Sequence, residues 1–154
     1  MKGVFLLKWG MLLVLLVFSF NTVAFEIIAN DSVVSNEITK MELRAVFGLK
    51  LTRWTEGEKI TVIAFNGNSD LHSGFCKHIL SVFPHQLQST WDLVKYSGKG
   101  QIPIVVSNEN EMIDFIKNTP GSIGYLPDRD KEKIKDEKIE GYKILEIVEG
   151  TNGR

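Results

Sequence analysis

The run Lys59-Ile60-Thr61-Val62-Ile63-Ala64-Phe65 restricts the fold of this chain more than any other segment. It is rich in β-branched residues and lacks polar alternation, so it reads as a strand buried on both faces. A strand covered twice needs one layer above it and one below. The sequence around it offers helices for those layers. Asn66-Gly67-Asn68-Ser69-Asp70 is a cluster of turn formers, after which Leu71, Phe75, Cys76, Ile79, Leu80 and Phe83 recur at helical spacing. Pro84 is expected to stop that helix.

The same alternation runs through the rest of the chain. Phe25, Ile27, Ile28 and Ala29 suggest a short strand ending at the polar turn Asn30-Asp31-Ser32. Thr39-Lys40-Met41-Glu42 has capping-box spacing, and Ile38 can staple onto Leu43. Met41, Leu43, Ala45, Val46 and Phe47 give this helix its apolar face, and Gly48 is expected to end it in the left-handed conformation. Leu49 to Glu58 reads as a loop around Trp54. Leu87, Trp91 and Val94 mark a further short helix, closed by Ser97-Gly98-Lys99-Gly100. Ile104-Val105-Val106 is strand-like, and Ser107 or Asn108 caps a helix carrying Met112, Ile113, Phe115 and Ile116. Ser122 to Leu126 alternates like a strand, and Tyr142 to Val148 is the last one. Between them, eleven of the thirteen residues from Asp128 to Glu140 are charged, five basic and six acidic, which predicts a solvated connection. Thr151 to Arg154 is expected to fray. Strands alternating with helices predict an α/β sandwich.

The first 24 residues are expected to lie outside that core. Lys2 and Lys8 precede an almost wholly apolar stretch, Met11–Phe20, and Thr22 and Ala24 fit the small or uncharged positions of a secretory cleavage site. An uncleaved anchor is the alternative, but Lys8 shortens the apolar run below a comfortable span. Residues 1–24 therefore read as a signal peptide and 25–150 as one exported domain. Cleavage after Ala24 leaves 130 residues with a net charge of −3. That length supports a core without staples, and the lone Cys76 permits no internal disulfide. With 18 basic against 19 acidic side chains, the whole-surface basic footprint of a nucleic-acid binder is missing.

Chemistry is sparse. The turn from the Lys59–Phe65 strand into the next helix aims backbone N–H groups and the positive end of a helix dipole at one point, which suits an oxyanion, and His72 and Ser73 fall in the first turn. Asp70 at the same place is explained equally by a plain capped helix. His72 and Cys76 are one turn apart, but His78 lies on another face and cannot join them, and Cys76 falls within the apolar set. No paired-carboxylate site, nucleophile elbow or Walker loop is present. Catalytic residues, metal and cofactor are all expected to be none. Ser97-Gly98-Lys99-Gly100 fits a helix stop or an anion-wrapping loop, and Trp54 and Trp91 fit packing anchors.

Read together, Leu43-Arg44-Ala45-Val46-Phe47-Gly48, Thr52-Arg53-Trp54, Trp91, Tyr96-Ser97-Gly98-Lys99-Gly100 and Pro120-Gly121-Ser122-Ile123-Gly124-Tyr125 resemble phosphate ABC-transporter periplasmic substrate-binding proteins, and more closely their short, exported, single-lobe relatives. The resemblance spans residues 26 to 126 and implies a single lobe of a type 2 periplasmic-binding-protein-like fold, a mixed sheet flanked by helices. It implies a non-enzymatic, periplasmic protein connected with phosphate transport or sensing. The family's phosphate loop corresponds to Ala64–Leu71, with Ser69 or Ser73 standing for its hydroxyls and His72 where the short relatives carry an Arg. The ligand residues it implies are Asn66, Gly67, Asn68, Ser69, His72 and Ser73, with phosphate or another small oxyanion held weakly. The alternative is a ligand-free interaction module for a membrane transporter or sensor, with a homodimer as a further option.

Overall fold

The computed structural model describes residues 24–128 and 140–150. The expected signal peptide, nearly all of the charged connection and the last four residues lie outside the described residues. In chain order the elements are β1 (Phe25–Asn30), β2 (Glu37–Thr39), α1 (Lys40–Phe47), β3 (Thr61–Phe65), α2 (Asp70–Phe75), α3 (Pro84–Ser97), β4 (Ile104–Val106), α4 (Glu109–Asn118), β5 (Ser122–Pro127) and β6 (Tyr142–Val148), with a π-helical turn at Cys76–Leu80 continuing α2.

The strands form one mixed sheet in the order β2-β6-β1-β5-β3-β4. β3 runs parallel to β4 and β5, whereas β1 is antiparallel to β5 and β6. The carboxyl ends of β3, β4 and β5 therefore meet at one edge, where Asn66 N–H donates to Val106 O and Asp128 N–H to Ala24 O. All five residues of β3 are buried, as its apolar run requires. The two faces of β5 show why: Tyr125 points among Phe47 and Phe75, while Ser122 Oγ donates to Ile116 O on α4. A Cβ on Gly124 would lie 2.5 Å from Met112 Sδ, so a side chain there would push α4 off the sheet. Helices thus cover both faces, and the α/β prediction holds.

Several local expectations needed correction. The capping box at Thr39 and Glu42 is formed, but Met41 is 75% exposed, so the buried stripe is Leu43, Val46 and Phe47. Gly48 ends α1 at φ −77° and Leu49 takes the left-handed position instead, at φ 57°. Pro84 does not stop the preceding helix: Arg44 Nε donates to Leu80 O at 2.6 Å, Ser81 turns left-handed, and Pro84 opens α3 at its first turn. Phe83, expected in the apolar face, is 60% exposed just before that start. α3 is 14 residues long rather than short, and closes at Gly98 with φ 64°. The three-residue β2, with only Ile38 buried, carries too little pattern to be seen in sequence.

Candidate functional site

The junction between β3 and α2 is built by its own turn chemistry. Asn66 Oδ1 accepts from Asn68 N–H at 3.0 Å, Ser69 N–H donates to Asn66 O, and Ser69 Oγ accepts from His72 N–H at 3.0 Å. Ser69 is thus the N-cap, and Asp70 follows it in the first turn, where its charge suits the dipole. The N–H groups of Asp70 and Leu71 have no intrahelical acceptor.

The six expected ligand residues divide here. Asn66, Gly67 and Asn68 border an open groove of about 500 Å³, whose other wall is Pro84, His85 and Gln88 from the start of α3. Ser69 is engaged in capping, and Ser73 N–H donates to Ser69 O. His72 turns inward and is 1% exposed. Neither Lys nor Arg borders the groove, and Gln88 Nε2 is held by Asp92 Oδ1 at 2.9 Å.

His72 belongs to a buried chain of polar groups. Phe65 N–H donates to Tyr125 Oη at 3.2 Å, and Tyr125 Oη lies 2.8 Å from His72 Nδ1. His72 Nε2 in turn lies 3.4 Å from Cys76 Sγ, and because the phenol and the thiol can each donate or accept, either neutral tautomer of the imidazole satisfies both contacts. Burial lowers the His72 pKa, pushes the Cys76 thiol up to about 11 and raises the Tyr125 phenol. All three groups are neutral near pH 7. A thiol of that pKa is a poor nucleophile, and among the described residues no three His, Cys, Asp or Glu side chains gather as a metal site. Tyr125 lies flat on Phe75, with ring centroids 3.7 Å apart, and Trp91 flanks His72 while donating from Nε1 to Phe47 O at 2.8 Å. The chemistry of this chain of groups is that of a satisfied core.

The sequence hides His85 and Gln88, because Pro84 directly after an apolar helical run has the pattern of a helix stop. Read as a first-turn proline ahead of Leu87 and Trp91, it would have placed residues 84, 85 and 88 on one face of a new helix, off the core stripe.

No protein-family model matches the chain, and no curated protein matches it. Solved structures do. It is similar to PstS from Borrelia burgdorferi, with 21% identity and a TM-score of 0.59 over 81% of this chain and 47% of that one. It is also similar to an ABC-type phosphate transport receptor from Vibrio cholerae, with 15% identity and a TM-score of 0.56 over 82% of this chain and 48% of that one. A Clostridium perfringens protein solved with bound phosphate gives 12% identity and a TM-score of 0.56, over 79% and 53%. The chain spans about half the length of these structures. At such identities the likeness establishes the fold, an α/β mixed sheet of the kind found in phosphate ABC-transporter substrate-binding proteins.

Proposed function

We propose that this chain is an exported, non-enzymatic, single-lobe solute-binding protein that holds phosphate or another small oxyanion weakly at the turn Asn66–Ser73. The observation that carries this reading is the open polar groove at the carboxyl edge of β3, where ligands of open α/β sheets are bound. The structural neighbour solved with phosphate supports the choice of anion. The amino-terminal pattern of Lys2, Lys8 and Met11–Phe20 supports export to the periplasm, with 1–24 as signal peptide and 25–150 as the lobe. Weak binding follows from the groove's chemistry: Asn, Gly, Pro, His and Gln line it, with no guanidinium to grip an oxyanion twice. A single lobe also leaves the ligand open to water on one side.

Titration of the purified protein with phosphate, sulfate and acetate, followed by amide NMR, tests this. Millimolar affinity, about −4 kcal/mol, with shifts centred on Gly67, Asn68 and Gln88, is expected. No shift at millimolar phosphate or sulfate would remove the binding claim. The second reading, an interaction module for a transporter or sensor or for a second copy, is favoured by Leu93 and Tyr96, which lie three residues apart on α3 and are 70% and 83% exposed. Sedimentation as a monomer that is unchanged by Leu93→Ser would count against the second-copy form of that reading.

A further inference from the structure

The opposite end of β3 holds a second concavity, distinct from the groove at its carboxyl edge and independent of the reading above. It measures about 470 Å³, within the usual range for small-molecule sites. Its walls combine apolar side chains from α1, β3 and the loop between them, among them Leu49, Leu51 and Ile60, with the turn Gly98–Gln101 that closes α3. Two cations, Lys59 and Lys99, border it, and no Asp or Glu does.

The backbone at this place does more than end a helix. Gly48 directly follows α1 and could take the left-handed position without strain, yet it sits at φ −77° and Leu49 takes φ 57°. For a leucine that conformation costs about 1–2 kcal/mol. It is held by Leu49 N–H to Val46 O and by Lys50 and Leu51 N–H groups to Ala45 O, and it brings both leucines to the wall of the concavity. On the other side Gly98 takes φ 64°, so that the Ser97–Gly100 turn folds back and Lys99 reaches the rim. A mixed lining, with Leu49 and Leu51 beside two cations and no carboxylate residue, has a definite complement. A neutral apolar ligand would leave the lysines unused, and a bare oxyanion would leave Leu49 and Leu51 unmatched.

From this charge and shape complementarity we infer that the concavity bounded by Leu49, Leu51, Ile60, Lys59 and Lys99 binds a small amphipathic anion: an alkyl or aryl body against Leu49 and Leu51 with a carboxylate toward the lysines. This gives the Gly98-Lys99-Gly100 turn a role on a surface separate from the phosphate-type groove.

Octanoate serves as the probe, with 1-octanol and acetate as the arms that lack the charge and the tail. In amide NMR of the full protein, octanoate is expected to shift Leu51, Gly98 and Gly100 and to leave Gly67 and Asn68 unmoved. Acetate at the same concentration is expected to shift none of them, and 1-octanol to bind at least about threefold more weakly. The double variant Lys59→Gln/Lys99→Gln is expected to weaken octanoate about tenfold while leaving 1-octanol unchanged. Lys77→Gln/Lys95→Gln, which removes the same charge elsewhere, should do neither. The inference is overturned if low-millimolar octanoate moves none of the three amides. Equal binding of octanol and octanoate, or octanoate binding unchanged by loss of Lys59 and Lys99, overturns it equally. Phosphate titration reads different amides, so the fate of the oxyanion reading is decided separately.

Discussion

The two sides of α2 differ sharply, although they are separated by a single helical turn. On the inner side His72, Cys76 and Tyr125 are closed off from water, every polar group meets a partner, and four aromatic rings pack around the phenol. On the outer side Asn66, Gly67 and Asn68 face an open groove with His85 and Gln88, and the chain is fixed by the turn's own hydrogen bonds and by Asn66 N–H to Val106 O. The difference shows how a histidine near a helix start can belong wholly to the core while its sequence neighbours stay free for a ligand. Perturbations on the inner side should therefore be read as stability, and those on the outer side as binding.

The largest expected effect is at Tyr125. Tyr125→Ala removes a ring stacked on Phe75 and edge-on to Phe25, Phe47 and Phe65, and is expected to cost about 4 kcal/mol in urea denaturation. Tyr125→Phe keeps the ring but strands Phe65 N–H and His72 Nδ1, so a loss of about 2 kcal/mol is expected. If the hydroxyl variant were as stable as the parent, the buried polar chain would contribute nothing and the contrast between the two sides would weaken.

Acid should act on the inner side next. Burial depresses the His72 pKa, so the unfolded chain takes up a proton near pH 6.5 while the folded protein still excludes it. The unfolded state then binds more protons, and stability falls as pH drops below about 6.5, by at most about 1.4 kcal/mol per pH unit until the folded-state pKa is reached. Above that window His72 adds no pH dependence. Subtracting the stability of His72→Gln from that of the parent between pH 7.5 and 5.5 isolates this contribution, and a flat difference would count against a buried neutral histidine.

Much of this molecule was readable in its residues. Continuous burial of Thr61–Phe65 announced helices on both sides of β3, and the Thr39/Glu42 pair and Asn108 marked their helix starts. What escaped was tertiary. Nothing near Leu80 signals that its carbonyl is taken by Arg44, 36 residues earlier, which ends the helix before Pro84 and frees the proline to begin another. The direction of His72 was equally hidden, since its 3.6-residue phase with Cys76 shows a shared face without showing that Tyr125, from a strand 53 residues on, supplies the phenol that makes burial tolerable. The groove's first wall could be read in the Asn-Gly-Asn turn, while its second wall depended on the orientation of α3.

The remaining predictions test the outer side. Ser69→Ala removes the N-cap acceptor of His72 N–H and is expected to cost about 1 kcal/mol, with phosphate shifts at Gly67 and Asn68 reduced because the turn is no longer held. His85→Ala is the smallest effect on stability and the most discriminating. Its side chain borders the groove and is exposed, so a change within about 0.5 kcal/mol is expected. Its effect on binding is expected to be larger than its effect on stability, because it forms part of one wall of the groove: at fixed pH, phosphate affinity read from the shifts of Gly67 and Asn68 should weaken about threefold in His85→Ala. Since His72 lies in the core, phosphate binding that survived unchanged in His85→Ala but vanished in a folded His72→Gln variant would reverse the assignment of the two sides.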